Sequence, residues 1–115
     1  MKMCATLLAI FLAMSGTAWA KGAIAVDDEA GTRDTGYGLV TGYENKDEAL
    51  RAALAQCRKA GNDGCRTVAW FETCGSYASS KQHYGAGWGK TEAAAEDMAL
   101  DKCGSGCRIV VSECE

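Results

Sequence analysis

Apolar residues in this chain alternate with small or polar ones in short runs, and recur at three- and four-residue spacing in two longer stretches. Ala23 to Asp27 reads as a short β-strand. Tyr37 to Tyr43 carries enough aromatic and β-branched residues to pair as a strand despite its glycines. Asn45 is placed to cap a helix, and Glu48, three residues on, completes a capping box. Ala49, Leu50, Ala53, Leu54 and Cys57 then share one helical face. Gly61 ends that helix, Asn62-Asp63-Gly64 turns the chain, and Cys65 to Thr73 is a strong strand. The order then returns. Gly75 to Lys81 and Tyr84 to Gly89 read as strands, Thr91 caps a helix running to Cys103, Gly104 stops it, and Arg108 to Glu113 is the last strand.

The two halves correspond in order, with one residue lost between the Tyr-Gly pair and the helix and four between the first two cysteines of the second copy. Tyr37-Gly38, Ala53-Leu54-x-x-Cys57 and Cys65-Arg66 in the first half match Tyr84-Gly85, Ala99-Leu100-x-x-Cys103 and Cys107-Arg108 in the second. A duplicated β-β-α-β unit explains this order, with half-repeats over about 22–74 and 75–114. The expected fold is α+β: an antiparallel-rich sheet packed by two Ala-rich helices and stapled by disulfides. Both helices present alanine inward (Ala49, Ala53, Ala95, Ala99). Small side chains let a helix lie close to a sheet, but they bury less apolar area, worth about 25 cal/mol per Å².

Residues 1–20 read as a secretory signal peptide: Lys2, an apolar run from Cys4 to Met14, and Ala18-Trp19-Ala20 as a small-x-small cleavage pattern. Cleavage is expected after Ala20, leaving residues 21–115 as a single disulfide-stabilised domain, secreted or periplasmic. The apolar run is too short for the ~20 residues a membrane-spanning helix needs. Six cysteines remain after cleavage, an even number in a short exported chain, which reads as a disulfide framework. The repeat favours a symmetric pairing: Cys57–Cys65, Cys103–Cys107, and Cys74–Cys114 joining the halves. Zinc sites favour Cys-x-x-Cys, which does not occur here, so no metal or cofactor is expected.

Composition narrows the function classes. Of 115 residues, 48% are hydrophobic, enough to build a core. The formal net charge is −3. No basic excess exists to neutralise phosphates, which argues against nucleic acid as the main partner.

Candidate chemistry is sparse. The single histidine, His83, lies in a loop-like segment beside Ser79 and Ser80, and no Gly-x-Ser-x-Gly elbow occurs. Asp27-Asp28-Glu29 is the densest acidic cluster; it reads as a solvated turn, with calcium or acid–base catalysis on a glycan as the sharper alternatives. Gly85-Ala86-Gly87-Trp88-Gly89 precedes a helix but lacks phosphate-loop spacing, and its glycines are expected to admit an aromatic ring. Cys57 and Cys103 fall at helix C-termini, where the helix dipole disfavours a thiolate, so redox catalysis is not expected.

Gly22-Ala23-Ile24-Ala25 at the start of the first strand, the Ala-rich helix ending in Cys57, and the shorter second copy ending in Cys103, Cys107 and Cys114 resemble the domain of unknown function family 4189. The resemblance covers residues 21–115 and departs at Lys21, where family members often carry an aromatic. It implies export and a fold, and no catalytic residues.

The expected function is a non-enzymatic binding module outside the cytoplasm, with an unknown protein or envelope ligand as partner, no membrane after cleavage, and a homodimer as a further option. A secreted effector or inhibitor acting on a host or competitor protein is the alternative; a small hydrolase is the weaker one. Strand parity selects an interaction face. Arg66, Val68, Trp70 and Glu72 share one side of their strand, as Arg108 and Val110 do of theirs. Ala69, Phe71, Ile109 and Val111 are expected to meet the helices, leaving Trp70, Val68 and Val110 as an apolar centre rimmed by Arg66, Arg108 and Glu72.

Overall fold

The computed structural model describes residues 21–28 and 35–115; the expected signal peptide and Glu29 lie outside the described residues. The chain forms β1 (Lys21–Asp27), β2 (Gly36–Tyr43), α1 (Lys46–Lys59), β3 (Arg66–Phe71), β4 (Cys74–Ser79), β5 (Tyr84–Gly89), α2 (Glu92–Cys103) and β6 (Arg108–Cys114). This is β-β-α-β twice over, an α+β fold. Each unit forms its own antiparallel sheet, in the order β2-β1-β3 and β5-β4-β6.

Local sequence sets the helix ends. The Asn45 side chain accepts the Glu48 backbone N–H at 2.9 Å, and the Thr91 hydroxyl accepts that of Ala94 at 3.1 Å. Each satisfies one N–H that the first helical turn leaves without a partner. Asp47 and Glu48 sit in the first turn of α1 and Arg58 and Lys59 in its last, both signs matching the helix dipole. At the end of α2, Gly104 adopts φ 98°, a left-handed conformation that glycine takes without steric cost.

The layers follow from which face of each central strand is apolar. Ala23 and Ala25 of β1 pack against Ala49, Ala53 and Cys57 of α1. Ala78 of β4 packs against Ala99 and Cys103 of α2. The opposite faces meet each other, with Ile24, Val26 and Leu39 from the first sheet and Tyr77 from the second building the central core with Phe71. The sheets are therefore the inner layers and the helices the outer ones. Gly38 lies against the α1 backbone, and Gly85 and Gly87 against the backbone of α2, where a Cβ would collide. The expectation that the glycines of β5 admit an aromatic ring is corrected: they admit a helix. The ring is Phe71, and the glycines that make room for it are Gly22 and Gly75.

Each unit carries a β-bulge at the same place. Between Ile24 and Ala25 the partner on β3 jumps from Ala69 to Thr67, making Val68 the extra residue. Between Tyr77 and Ala78 the partner on β6 jumps from Val111 to Ile109, making Val110 the extra residue. A bulge switches the side-chain alternation on either side of it. This corrects the expected faces. Ala69 and Phe71 lie opposite Ile24 and Gly22 and belong to the inter-sheet layer. Val68, Val110 and Val111 also pack on the central core, and only Ile109 meets α2. Trp70 lies opposite Ala23, on the α1 side.

Disulfides join Cys57–Cys65, Cys103–Cys107 and Cys74–Cys114, with Cα separations of 6.2, 6.1 and 4.0 Å. The first two tie the end of each helix to the start of the next strand. The third does not join the halves: Cys74 opens β4 and stands directly opposite Cys114 on β6, within one sheet.

Candidate functional site

The two units are arranged so that β3, at the edge of the first sheet, runs beside β5, at the edge of the second. Between them lies a cleft of about 580 Å³ lined by Val68, Trp70, Phe71, Glu72, Trp88 and Lys90, among others. A second hollow of about 420 Å³ shares Val68 and Trp88 as walls and extends to Arg66, Tyr84 and Lys102. Together they make a groove along both strands.

Strand alternation explains its aromatic lining. On β5, Gly85, Gly87 and Gly89 point at α2, so Tyr84, Ala86 and Trp88 share the other side. Ala86 reaches the core, while Tyr84 and Trp88 are 55% and 45% exposed, among the most exposed large apolar side chains described. Trp70 on the facing strand is 37% exposed. Each ring carries a cation: Lys102 Nζ lies 4.2 Å from the Trp88 ring centre, the Arg66 guanidinium 4.6 Å from Tyr84, and Lys46 Nζ 5.4 Å from Trp70. Such pairs contribute about 0.5–1 kcal/mol at exposed sites and hold the rings in place.

One end of the groove is anchored by a partly buried polar cluster. Asp28 Oδ2 accepts hydrogen bonds from Arg66 Nη2 and from the Tyr77 hydroxyl, both at 2.8 Å. The Tyr77 ring stacks on Tyr84 with centroids 6.3 Å apart. Burial alone would raise the Asp28 pKa; the Tyr77 hydrogen bond and the Arg66 charge outweigh it and hold the carboxyl below its ordinary value. Burial pushes the Tyr77 hydroxyl up, and the bond it donates to Asp28 pushes it further. Burial of the Arg66 guanidinium disfavours its charge, but the carboxylate of Asp28 more than compensates.

The acidic cluster is therefore no solvated turn where it is described. Asp27 is buried and its carboxylate accepts the Gly64 backbone N–H at 3.1 Å, while Asp28 is committed to Arg66 and Tyr77. Among the described residues, no group of three or more side chains is placed to hold a metal ion. His83 is exposed in the turn between β4 and β5, where its backbone N–H bonds to the Ser80 hydroxyl.

Of the expected interaction face, Arg66, Val68, Trp70 and Glu72 line the groove. Arg108 and Val110 do not: they stand on β6, at the opposite edge of the second sheet from β5. The expected repeat would equate β3 with β6, but the packing of the two sheets sets β3 against β5. Sequence reasoning missed Tyr84, Trp88, Lys90 and Lys102. The signal was present, since two aromatics four apart on a strand whose alternate positions are all glycine must share the non-glycine face.

The groove thus sits on a disulfide-stapled α+β domain of two like units. The family whose model matches residues 21–114 is described as a domain of unknown function, DUF4189, and the chain belongs to it. No curated protein matches the chain, and no solved structure does. No helix among the described residues is long and apolar enough to cross a membrane.

Proposed function

We propose that this protein is an exported, non-enzymatic binding module that contacts its ligand through the groove between β3 and β5. The observation that carries this reading is the grouping of half-exposed aromatic rings on two adjoining hollows between β3 and β5: Trp70 and Trp88 line one, Tyr84 and Trp88 the other. Exposed aromatics are costly to keep in water unless something covers them, and aromatic side chains dominate the energetics of binding sites. The disulfides support export, because such bonds persist in oxidising compartments, and the leader over residues 1–20 supplies the route. The mature protein then acts in the periplasm or outside the cell.

Two measurements test this. N-terminal sequencing of the exported product is expected to begin at Lys21. Pull-down from an envelope extract with the oxidised protein is compared with the Trp70→Ser/Trp88→Ser variant. Loss of the captured species, with the circular dichroism spectrum unchanged, supports the groove; equal capture by both proteins rejects it.

A further inference from the structure

The described residues present four edge strands, β2, β3, β5 and β6, and three of them have irregular pairing with their neighbours. Bulges and charges are how proteins keep sheet edges from pairing with other chains. β5 has neither. Its six residues pair with β4 in unbroken register, and Tyr84 to Gly89 contains no charged residue and no proline. Its outer edge opens on the groove. A regular, uncharged edge of six residues offers main-chain donors and acceptors over about 20 Å.

The surroundings of that edge are cationic in a chain of net charge −3. Lys90 and Lys102 line the groove, Arg66 beside them is paired with Asp28 at 2.8 Å, and the carboxylate of Glu72 is paired with Lys21 at 3.5 Å. Resting on the groove being the binding surface, we propose that its ligand is an extended acidic peptide segment that adds to β5 as a fourth strand of the second sheet. Main-chain hydrogen bonds to β5 supply affinity. Alternate side chains of the peptide meet Tyr84, Trp88 and Val68, and its carboxylates meet Lys90 and Lys102, so that charge and side-chain spacing select the partner.

The test begins with a random ten-residue peptide library displayed on phage and panned against the oxidised protein. Proline-free peptides rich in Asp and Glu, with apolar residues at alternate positions, are expected to be enriched. Synthetic copies of the best peptide are then N-methylated at one or the other set of alternate amides. One set should weaken binding at least about tenfold, because two or three main-chain bonds are lost, and the other should leave it nearly unchanged. Amide exchange at Tyr84–Gly89 should slow when the peptide binds, and Lys90→Glu/Lys102→Glu should reverse the preference for acidic sequences while the fold is retained.

No enrichment, enrichment of basic or proline-rich peptides, or indifference to both N-methylation patterns overturns the inference. So does a dimer in sedimentation whose β5 amides are protected without peptide, since a second copy then fills the edge. If peptides fail but Trp70 and Trp88 remain necessary for capture from an envelope extract, the groove stands and only the peptide is wrong. If bound peptides shift resonances on β2 or β6 and leave β3 and β5 unmoved, both readings fall.

Discussion

The Asp28 carboxylate at the end of β1 and the Tyr77 hydroxyl on β4 are joined by a 2.8 Å hydrogen bond that crosses from one sheet to the other. It is a polar link beside the apolar inter-sheet core, and the same carboxylate oxygen also holds Arg66 at the mouth of the groove. Hydrogen bonds to charged groups contribute about 1.5–3 kcal/mol. Tyr77→Phe keeps the ring and removes the bond, so equilibrium unfolding in urea should show a loss in that range with the disulfides intact.

Acid should weaken the same link. The folded state holds the Asp28 pKa below its unfolded value of about 3.9, so the unfolded chain binds the proton more readily. The stabilisation is complete above that value and is lost as pH falls through the lower, folded pKa. Urea midpoints of the wild type should drop as pH falls below about 4 more steeply than those of Asp28→Asn, which lacks the titrating group. Parallel curves for the two proteins would show that Asp28 contributes nothing to acid unfolding.

The Phe71 ring fills the space that Gly22 and Gly75 leave by having no Cβ. Gly75→Ala should destabilise the protein by about 1–3 kcal/mol through overpacking. Phe71→Leu should also destabilise it, through lost volume. The double variant should be more stable than the sum of the two losses predicts, because the smaller side chain admits the new methyl. A double-mutant cycle on thermal or urea midpoints reads this coupling directly; additive losses would mean that the ring and the glycine do not confront each other.

The three disulfides should differ in what they contribute. Chain-entropy reasoning assigns about 4 kcal/mol to Cys74–Cys114, with a sequence separation of 40, and about 2–2.5 kcal/mol to each of the others, with separations of 8 and 4. Paired Cys→Ala variants, compared by urea unfolding, should therefore rank with the Cys74–Cys114 pair as the costliest. The last turn of each helix should remain protected from exchange when only that bond is removed.

Much of this fold is legible along the chain because its determinants are local. Asn45 and Thr91 cap where capping residues are expected, Gly104 ends its helix by taking a positive φ, and the alanine spacing marks the helix faces that approach the sheets. The order of elements, the two like units and the family resemblance also follow from residues near one another in sequence. Local signals suffice there because capping, turn geometry and periodicity involve neighbours only.

The groove was half legible. Trp70, Val68, Arg66 and Glu72 were expected on one face by alternation and line the groove although the bulge separates Val68 from Trp70; the glycines of β5 put Tyr84 and Trp88 on one face, but their place on the groove, with Lys90 and Lys102, emerges only when β5 is set beside β3. Two things decided that. The bulges at Val68 and Val110 reversed the face of the residues beyond them, and a bulge depends on how two strands pair, which alternation along one strand does not record. The strands also closed into two sheets packed face to face rather than one sheet backed by both helices. A single sheet would have left one face of Ile24, Val26 and Tyr77 uncovered, and burying those faces against each other set the edges of the two units side by side. Sequence determined the units; the burial of their second apolar faces determined how they meet, and with that where the aromatic groove lies.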